Sequence, residues 1–397
     1  MDLYPPFGIH WIGPYEDISG ISHINRNVAL AALKLGLPLR ITSPFAPGTW
    51  SHLEAQLPLE KLELLRQAEN TPLQQGNYFA VHSYPPHYLH PHAIQQVAGP
   101  ARCHISYSLF ETNKIPANWA DSLNHENVME AWVPCKFQLE SYKRGGIEPR
   151  KLKWVPHGVD IQEFTPEGQK MAFGDPNPFT FLTIMDVSVR KGPDILLKAY
   201  FEEFAKETPG KVMLIFKGYN GGGGEAERAK IQKTIEAAKV AAGSQAEAFF
   251  LGGFLSDAQL PGLHRSVNAY VNSSRGEGWD FPCLQSMACG VPCIMSKHSS
   301  HLDFGTEQNC LWIDCVEKEI TDPKFLALDA RFYGHSWWEP SVESLRKQMR
   351  WAYEHPQELA AKGAQARIDV KKFSWENSLR SVVTQLAKFV TPQVVNV

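Results

Sequence analysis

The sequence predicts an α/β protein built from two parallel β-sheets, each covered by helices on both faces. First, short apolar runs alternate with helical patterns along the chain, which is typical of parallel sheets. Second, the alternation falls into two series, separated by a stretch rich in glycine and proline at 168–178. Third, a length of 397 residues exceeds one ordinary domain, so we expect two.

The composition excludes several classes of protein. With 43% hydrophobic and 20% charged residues the chain is an ordinary globular one, and its net charge of −3 gives no reason to expect a nucleic-acid partner. We expect neither a membrane helix nor a secretory signal, because no apolar run is long enough and the N-terminus lacks a basic region. Seven cysteines without a C-x-x-C pair indicate reduced, buried thiols in the cytoplasm.

The first series begins with a strand at 7–12 and a helix at 23–35, whose Ile24, Val28 and Ala31 share one face. Its further strands are predicted at 37–42, 78–82, 104–108, 129–133 and 152–155. Ligands of parallel sheets bind beyond the carboxyl ends of the strands. The candidate binding loops are therefore 13–20, 82–86 and 107–111.

The second series has a helix at 193–205 after a loop at 187–192. Its strands are predicted at 179–185, 212–216, 249–251, 269–271, 293–295 and 311–313. An amphipathic helix at 375–389, with Ser374 as its cap, ends the chain's regular pattern. The apolar face of that helix consists of Trp375, Leu379, Val382, Leu386 and Phe389.

The stretch 275–292 carries the main functional signal. It reads Arg-Gly-Glu-Gly-Trp-Asp-Phe-Pro-Cys-Leu-Gln-Ser-Met-Ala-Cys-Gly-Val-Pro. Two glycines around Glu277 allow a tight turn, Pro282 can start a helix, and Gly290 can end it. Free N–H groups and a positive helix end suit an anionic ligand that carries hydroxyl groups.

This stretch resembles the signature of retaining glycosyltransferase family 4, whose members have the GT-B fold of two Rossmann-like domains facing across a cleft. The signature has two glutamates separated by seven residues and runs into Glu-Ala-Met-Ala-x-Gly-x-Pro. Glu277 holds the first glutamate position, Gln285 replaces the second, and Asp280 stands where a small residue is usual. The resemblance implies an acceptor-side domain at 1–167, on which a helix at 375–397 packs back, and a nucleotide-sugar-binding domain at 168–374.

Three residues are the catalytic candidates. Arg190 and Lys191 lie in a turn between a strand and a helix, where two cations can neutralise a diphosphate, as the matching turn does in the family. The resemblance places Glu277 on the donor sugar. The alternatives are a solvated basic pair and a surface carboxylate.

The resemblance also implies a set of donor-binding residues: Gly20, Gly278, Trp279, Asp280, Phe281, Pro282, Cys283, Gln285, Phe254 and Leu255. Asp280 has two interpretations, a helix cap that accepts from the N–H of Cys283 or a ligand of a sugar hydroxyl. The cap is favoured, because a carboxylate turned outward would repel a phosphate. Gln285 would hold the ribose or, alternatively, be an ordinary residue of the helix surface.

His82, Tyr107 and Glu111 are the acceptor-binding candidates, since they lie in the loops of the first series. A lone histidine such as His82 is more often structural. A run of basic residues would suit a lipid-linked acceptor and peripheral membrane contact, although interspersed glutamates favour a solvated face. These basic residues are Lys136, Lys143, Arg144, Arg150, Lys151 and Lys153.

The sequence thus predicts a cytoplasmic retaining glycosyltransferase that uses a UDP- or GDP-linked sugar and a glycan, lipid or small-molecule acceptor. It would need no cofactor and no metal, since the chain has no Asp-x-Asp triplet. Because of Asp280 and Gln285, a GT-B-fold nucleotide-sugar-binding or scaffolding protein without turnover is the alternative. The glycine-rich turn at 218–224 weakly suggests an oxidoreductase, but it has neither G-x-G-x-x-G nor Gly-Lys-Ser/Thr.

Overall fold

The structure, a computed structural model, describes residues 5–17, 19–44, 57–89, 91–173, 178–219, 224–253 and 255–390. The chain forms two compact units. Unit 1 consists of Met1–Phe110, Lys114–Gly158 and Phe373–Val397. Unit 2 consists of Val159–Lys372 and the short segment Glu111–Asn113.

Unit 1 contains a six-stranded parallel sheet with the strand order β2-β1-β3-β4-β5-β6. Its strands are β1 Gly8–Ile12, β2 Leu39–Thr42, β3 Tyr78–His82, β4 His104–Tyr107, β5 Val128–Val133 and β6 Leu152–Trp154. The helices between them are α1 Gly20–Lys34, α2 Leu59–Glu69, α3 Pro91–Ala98, α4 Ala117–Asn124 and α5 Lys136–Arg144. Every residue of β1 and β3 is buried, which is why these strands read as continuous apolar runs. The chain leaves β1 in one direction for β2 and returns on its other side for β3, so the strand order reverses between β1 and β3.

Unit 2 contains a second six-stranded parallel sheet, in the order β12-β11-β10-β7-β8-β9. Its strands are β7 Phe179–Asp186, β8 Val212–Tyr219, β9 Glu247–Phe250, β10 Ala269–Asn272, β11 Cys293–Ser296 and β12 Cys310–Ile313. Here the order reverses between β7 and β10. The two parallel sheets confirm the predicted fold class. The predicted strand at 249–251 begins two residues after the start of β9 and ends one residue after its end.

An antiparallel hairpin of β13 Cys315–Glu319 and β14 Ser336–Pro340 adds to unit 2. The sequence did not predict it, because four of the five residues of β13 are exposed and give no apolar run. The helices of unit 2 are α6 Pro193–Glu203, α7 Glu225–Ala241, α8 Gln259–Arg265, α9 Phe281–Ala288, α10 His301–Phe304, α11 Pro323–Leu328, α12 Val342–Glu354 and α13 Pro356–Val370.

The last helix, α14 Trp375–Ala387, belongs to unit 1 and packs against α1. Ser374 caps it by accepting from the N–H of Asn377, and Trp375, Leu379, Val382 and Leu386 are buried, as their spacing predicted. A side-chain carbon at Gly158 would lie 2.5 Å from the backbone of Trp375. Only glycine therefore allows the chain to pass so close to the start of this helix.

None of the seven cysteines forms a disulfide, and six of them are buried and Cys315 partly so, which confirms the prediction of buried thiols. One of the basic residues that were predicted to lie on a solvated face is buried instead. Lys151 is 6% exposed, and its ammonium group donates to the carbonyls of Leu123, Asn124, His125 and Val128. It satisfies carbonyl groups at and just after the end of α4. Among the helices of the described residues, none combines the length and the hydrophobicity needed to cross a membrane.

Candidate active site

The strand order of unit 2 reverses between β7 and β10, and this is where open α/β sheets bind ligands. After β7 the chain makes a 3-10 turn at Val189–Lys191 and enters α6 through Gly192, whose φ is 66°. A side-chain carbon at Gly192 would lie 2.2 Å from the carbonyl oxygen of Ser273. Since only glycine fits, the loops after β7 and β10 lie in direct contact.

These loops bring together the three catalytic candidates. Lys191 Nζ donates to both carboxylate oxygens of Glu277, at 2.7 and 2.8 Å. Arg190 Nη1 donates to the carbonyl of Gly276 at 2.7 Å and lies 4.0 Å from Glu277 Oε2. We call Arg190, Lys191 and Glu277 the charge cluster. The sequence indicated these residues, but their roles on a donor stay predictions.

The carboxylate of Glu277 is ionised at neutral pH. Its side chain is only 4% exposed, and burial alone would raise its pKa. The nearby charges of Lys191 and Arg190 outweigh burial and lower the pKa of Glu277 to about 2. Glu277 is therefore a buried acceptor of hydrogen bonds whose charge the two cations balance.

Asp280 caps helix α9, in a left-handed backbone conformation with φ 68°. Its Oδ1 accepts from the N–H of Cys283 at 3.3 Å, while its Oδ2 bonds Asn272 Nδ2 at 2.8 Å and His301 Nε2 at 2.9 Å. Burial, and then the charge of Glu277, raise the pKa of Asp280. The cap confirms the first interpretation of this residue.

Helix α9 begins and ends as predicted. Pro282 lies in its first turn, and Gly290 ends it with φ 73°. The N–H of Gly290 donates to Met287 and that of Val291 to Ser286, which is the Schellman arrangement. Gln285 is 4% exposed, so it is not the surface residue of the alternative interpretation.

The other donor candidates are not all in one place. Gly278, Trp279 and Cys283 are buried around the start of α9, and Phe281 and Pro282 are half-buried there. Leu255 is half-buried in the loop after β9, whereas Gly20 is exposed at the start of α1 in unit 1. Phe254 and residues 220–223 of the glycine-rich turn lie outside the described residues.

Two residues after β11 support Glu277 and were missed by the sequence analysis. Ser299 Oγ accepts from the N–H of Glu277 at 3.3 Å and lies 2.9 Å from His298 Nδ1. Burial lowers the pKa of His298 to about 3, so its ring is neutral. Because Nε2 lies 2.8 Å from the carbonyl of Ser274, Nε2 carries the proton and Nδ1 accepts from the Ser299 hydroxyl. The polar run that follows the apolar strand β11 was the sequence signal from which these two residues could have been found.

Arg275 anchors the loop that carries Glu277. Its guanidinium binds both oxygens of Asp194, at 3.0 and 2.7 Å, and both oxygens of Glu339, at 2.7 and 2.9 Å. Burial would lower the pKa of Arg275, but the hydrogen bonds and charges of the two carboxylates raise it. The loop is thereby tied to the start of α6 and to β14.

The structure corrects the placement of Glu111. The prediction put it among the loops of the first domain, but its contacts assign it to unit 2. Asn113 pairs its main chain with Ser336 of β14 at 3.1 Å, and a side chain at Gly276 would lie 2.2 Å from the carbonyl of Glu111. The Glu111 carboxylate consequently lies 3.3 Å from Arg190 Nη2.

In unit 1, His82 is fully buried and hydrogen bonds Tyr84 at 2.7 Å and His104 at 3.1 Å. Burial, with the charges of neighbouring histidines, lowers its pKa well below the usual range. Tyr107 donates to the carbonyl of Val155 at 2.6 Å and lies 2.7 Å from His157 Nδ1. His82 thus has the contacts of a structural histidine, and the acceptor roles of both residues stay predictions.

A pocket lies at the point where the strand order of unit 1 reverses. Tyr107 lines it, and His82 does not. The lining residues are Ile21, Ile24, Ser83, Tyr84, Pro85, Tyr107, Ser108, Leu109, Trp119 and His157. The wall is thus mainly aliphatic and aromatic. Within the part of the chain that the structure describes, no group of three or more His, Cys, Asp or Glu side chains could hold a metal ion.

Comparison with known proteins gives relatives for part of the chain. Residues 169–317 match the family model described as glycosyl transferases group 1. The chain is 22% identical over 227 residues to mannosylfructose-phosphate synthase from Agrobacterium fabrum, covering 53% of this chain and 48% of that protein. It is 23% identical over 238 residues to D-inositol 3-phosphate glycosyltransferase from Rhodococcus opacus, covering 59% and 47%. The aligned part therefore spans about half the length of these relatives.

Solved structures match nearly the whole chain. HepE from Anabaena, crystallised with UDP-glucose, has a TM-score of 0.64 at 15% identity and covers 96% of this chain and 100% of its own. Sucrose-phosphate synthase from Thermosynechococcus elongatus has a TM-score of 0.63 at 14% identity, with coverages of 97% and 100%. Residues 169–317 thus match the group 1 glycosyl transferases, and the two six-stranded sheets have the GT-B fold of known glycosyltransferases.

Proposed function

We propose that this protein is a retaining glycosyltransferase of family 4. It moves a sugar from a UDP- or GDP-linked nucleotide-diphospho-sugar to a glycan, lipid or small-molecule acceptor. The observation that carries the proposal is the charge cluster at the point where the strand order of unit 2 reverses. Cations, an ionised acceptor and a helix start at that point suit a ligand with both a diphosphate and sugar hydroxyls.

The diphosphate binds Arg190 and Lys191, whose side chains are 17% and 18% exposed. The first turn of α9 adds N–H groups and the positive end of a helix. Charge develops on the leaving phosphate as the glycosidic bond breaks, and these fixed donors stabilise it. The leaving phosphate itself takes the proton of the acceptor hydroxyl, which attacks from the leaving-group side.

Glu277 orients the donor sugar by accepting hydrogen bonds from its hydroxyls. Its low pKa keeps it an acceptor over the whole physiological range. Ser299 and the neutral ring of His298 hold its backbone in place. Gln285 holds the ribose through its amide, and the loop that contains Leu255 contacts the base.

Unit 1 binds the acceptor in the pocket that Tyr107 lines. Aromatic walls and hydroxyl groups suit the face and the edges of a sugar ring. A lipid-linked acceptor would bring the protein to a membrane surface. Lys136 supports that contact, because its ammonium lies 4.6 Å from the ring of the partly exposed Trp154. Seven cysteines without a disulfide favour a reducing compartment, and we place the reaction in the cytoplasm.

The test is release of nucleotide from a panel of UDP-, GDP- and ADP-sugars, carried out in EDTA because we propose that no metal is needed. We expect release from at least one UDP- or GDP-sugar, and its loss in Arg190→Ala. If UDP or GDP binds but no donor is ever cleaved, the non-catalytic binding protein that Gln285 suggests becomes the better conclusion. A strict need for added manganese or magnesium would contradict the metal-independent mechanism.

A further inference from the structure

Glu111 comes from a chain segment that unit 2 holds firmly. The segment 111–113 is bonded to the end of the hairpin at three points. Asn113 exchanges two hydrogen bonds with the main chain of Ser336, at 3.1 and 2.9 Å, and donates to Glu317 at 3.1 Å. Thr112 Oγ1 lies 2.7 Å from His335 Nδ1. The backbone of Glu111 is therefore held beside the charge cluster, and its side chain lies within reach of Arg190.

The carboxylate of Glu111 changes the charge of the site. Arg190 and Lys191 carry two positive charges, and Glu277 and Glu111 carry two negative ones. With Glu111 in place the four side chains sum to zero, which does not favour an anion. Without it they sum to +1. A bound diphosphate therefore competes with Glu111 for the same positive charge.

The two ion pairs of the site differ in tightness. Lys191 holds Glu277, which is 4% exposed, at 2.7 and 2.8 Å. Arg190 meets Glu111 at 3.3 Å, longer than the distance typical of a charge-assisted hydrogen bond, and both side chains keep contact with water. Arg190 Nη1 is meanwhile bound to the carbonyl of Gly276, so its position does not depend on Glu111. Arg190 can thus exchange one anionic partner for another without moving.

We propose that Glu111 is an internal competitor of the donor diphosphate, whose carboxylate occupies Arg190 Nη2 until a diphosphate displaces it. An anion that binds Arg190 has to displace this carboxylate first, so Glu111 lowers the affinity of the site for the diphosphate. This inference rests on the proposed function of unit 2. It assigns Glu111 to control of the donor rather than to binding of the acceptor.

The experiment is a calorimetric titration of UDP and GDP into the wild type, Glu111→Gln, Arg190→Ala and the double variant. For the nucleotide that binds, we expect Glu111→Gln to raise the affinity about two- to fivefold, the range of a weak, partly screened ion pair. In the Arg190→Ala background the same change should have no effect, since the cation for which the two anions compete is gone. Glu317→Gln is the matched control, because it removes one negative charge beside Asn113 but has no contact with Arg190, and it should leave the affinity unchanged.

Equal affinity of the wild type and Glu111→Gln, or a lower one in the variant, overturns this inference and leaves the proposed function in place. A gain that Glu317→Gln reproduces also overturns it, because the effect would then come from net charge alone. If neither nucleotide binds to any variant, the proposed function falls and this inference with it. Thermal melts test whether each variant is folded. If Glu111→Gln is not folded, Glu111→Ala replaces it and should show the same gain in affinity.

Discussion

The two units share one architecture, although their strand orders differ, and they contrast in the chemistry of their binding points. Each has a six-stranded parallel sheet whose strand order reverses once. At the reversal, unit 1 has a pocket with mainly aliphatic and aromatic walls, near the neutral, paired His82. Unit 2 has the charge cluster, with a buried carboxylate between two cations. The topology thus determines where a ligand binds, whereas the residues that follow each strand determine which ligand.

The largest expected effect is that of removing one hydrogen-bonded lysine from each unit. Lys191→Met leaves the Glu277 carboxylate buried without its tightest partner, so we expect a loss of about 3–5 kcal/mol in stability. We also expect nucleotide affinity to fall by about 1.5–3 kcal/mol. Lys151→Met in unit 1 leaves carbonyls at the end of α4 without a donor and should cost about 1–3 kcal/mol, with nucleotide affinity unchanged.

Urea unfolding measures the stability of these variants, and calorimetry with UDP or GDP measures their nucleotide affinity. Equal nucleotide affinities in Lys191→Met and Lys151→Met would break the comparison, because the charge cluster would then be a structural feature like Lys151. Lys198→Met, a change at an exposed position of α6, controls for the loss of one positive charge.

A smaller effect concerns acid stability. Burial lowers the pKa of His10 in unit 1 to about 4, whereas an unfolded histidine titrates near 6.5. Between these values only the unfolded chain binds the proton, so stability is lost as the pH falls from 6.5 towards 4. At pH 5 the loss from this residue is about 2 kcal/mol. His10→Gln should remove that part of the pH dependence, which unfolding at pH 7 and pH 5 measures.

Neutral buried histidines occur in unit 2 as well, where burial lowers the pKa of His264 to about 3. Unit 2 has a further pH window, that of Glu277. Its stabilising charge is present above pH 4.5 and is lost as the pH falls towards 2. An unchanged pH dependence in His10→Gln would show that His10 is not neutral in the folded protein.

The smallest effect is expected for Gln285→Glu. The position is 4% exposed, so we expect a glutamate there to take up a proton in the free protein rather than stay charged, at a cost of about 1–2 kcal/mol. If the amide holds ribose hydroxyls, a carboxylate accepts from them more strongly, and stabilisation by UDP or GDP should be kept or enlarged. Thermal melts of both proteins with and without nucleotide measure this. If nucleotide raises the melting temperature of neither protein, unit 2 has no donor site and its contrast with unit 1 is lost.

The sequence by itself determined the elements and their ends. Strands such as β3 read as short apolar runs because both faces of a parallel sheet are buried, and its bounds were predicted to the residue. Asp280, Pro282 and Gly290 determined the start and end of α9, since caps act within a few residues of the chain. These features depend on local backbone geometry, which a sequence pattern records directly.

Only the tertiary structure decided how the charges pair. Lys191 and Glu277 lie 86 positions apart, and they meet because β7 and β10 are neighbours in the sheet. The same holds for Glu111, which unit 2 takes from a loop of the first series, and for His298 and Ser299, which reach Glu277 from the end of β11. A charged residue in a loop carries no record of its partner, because the partner is brought to it by strand order and not by spacing along the chain.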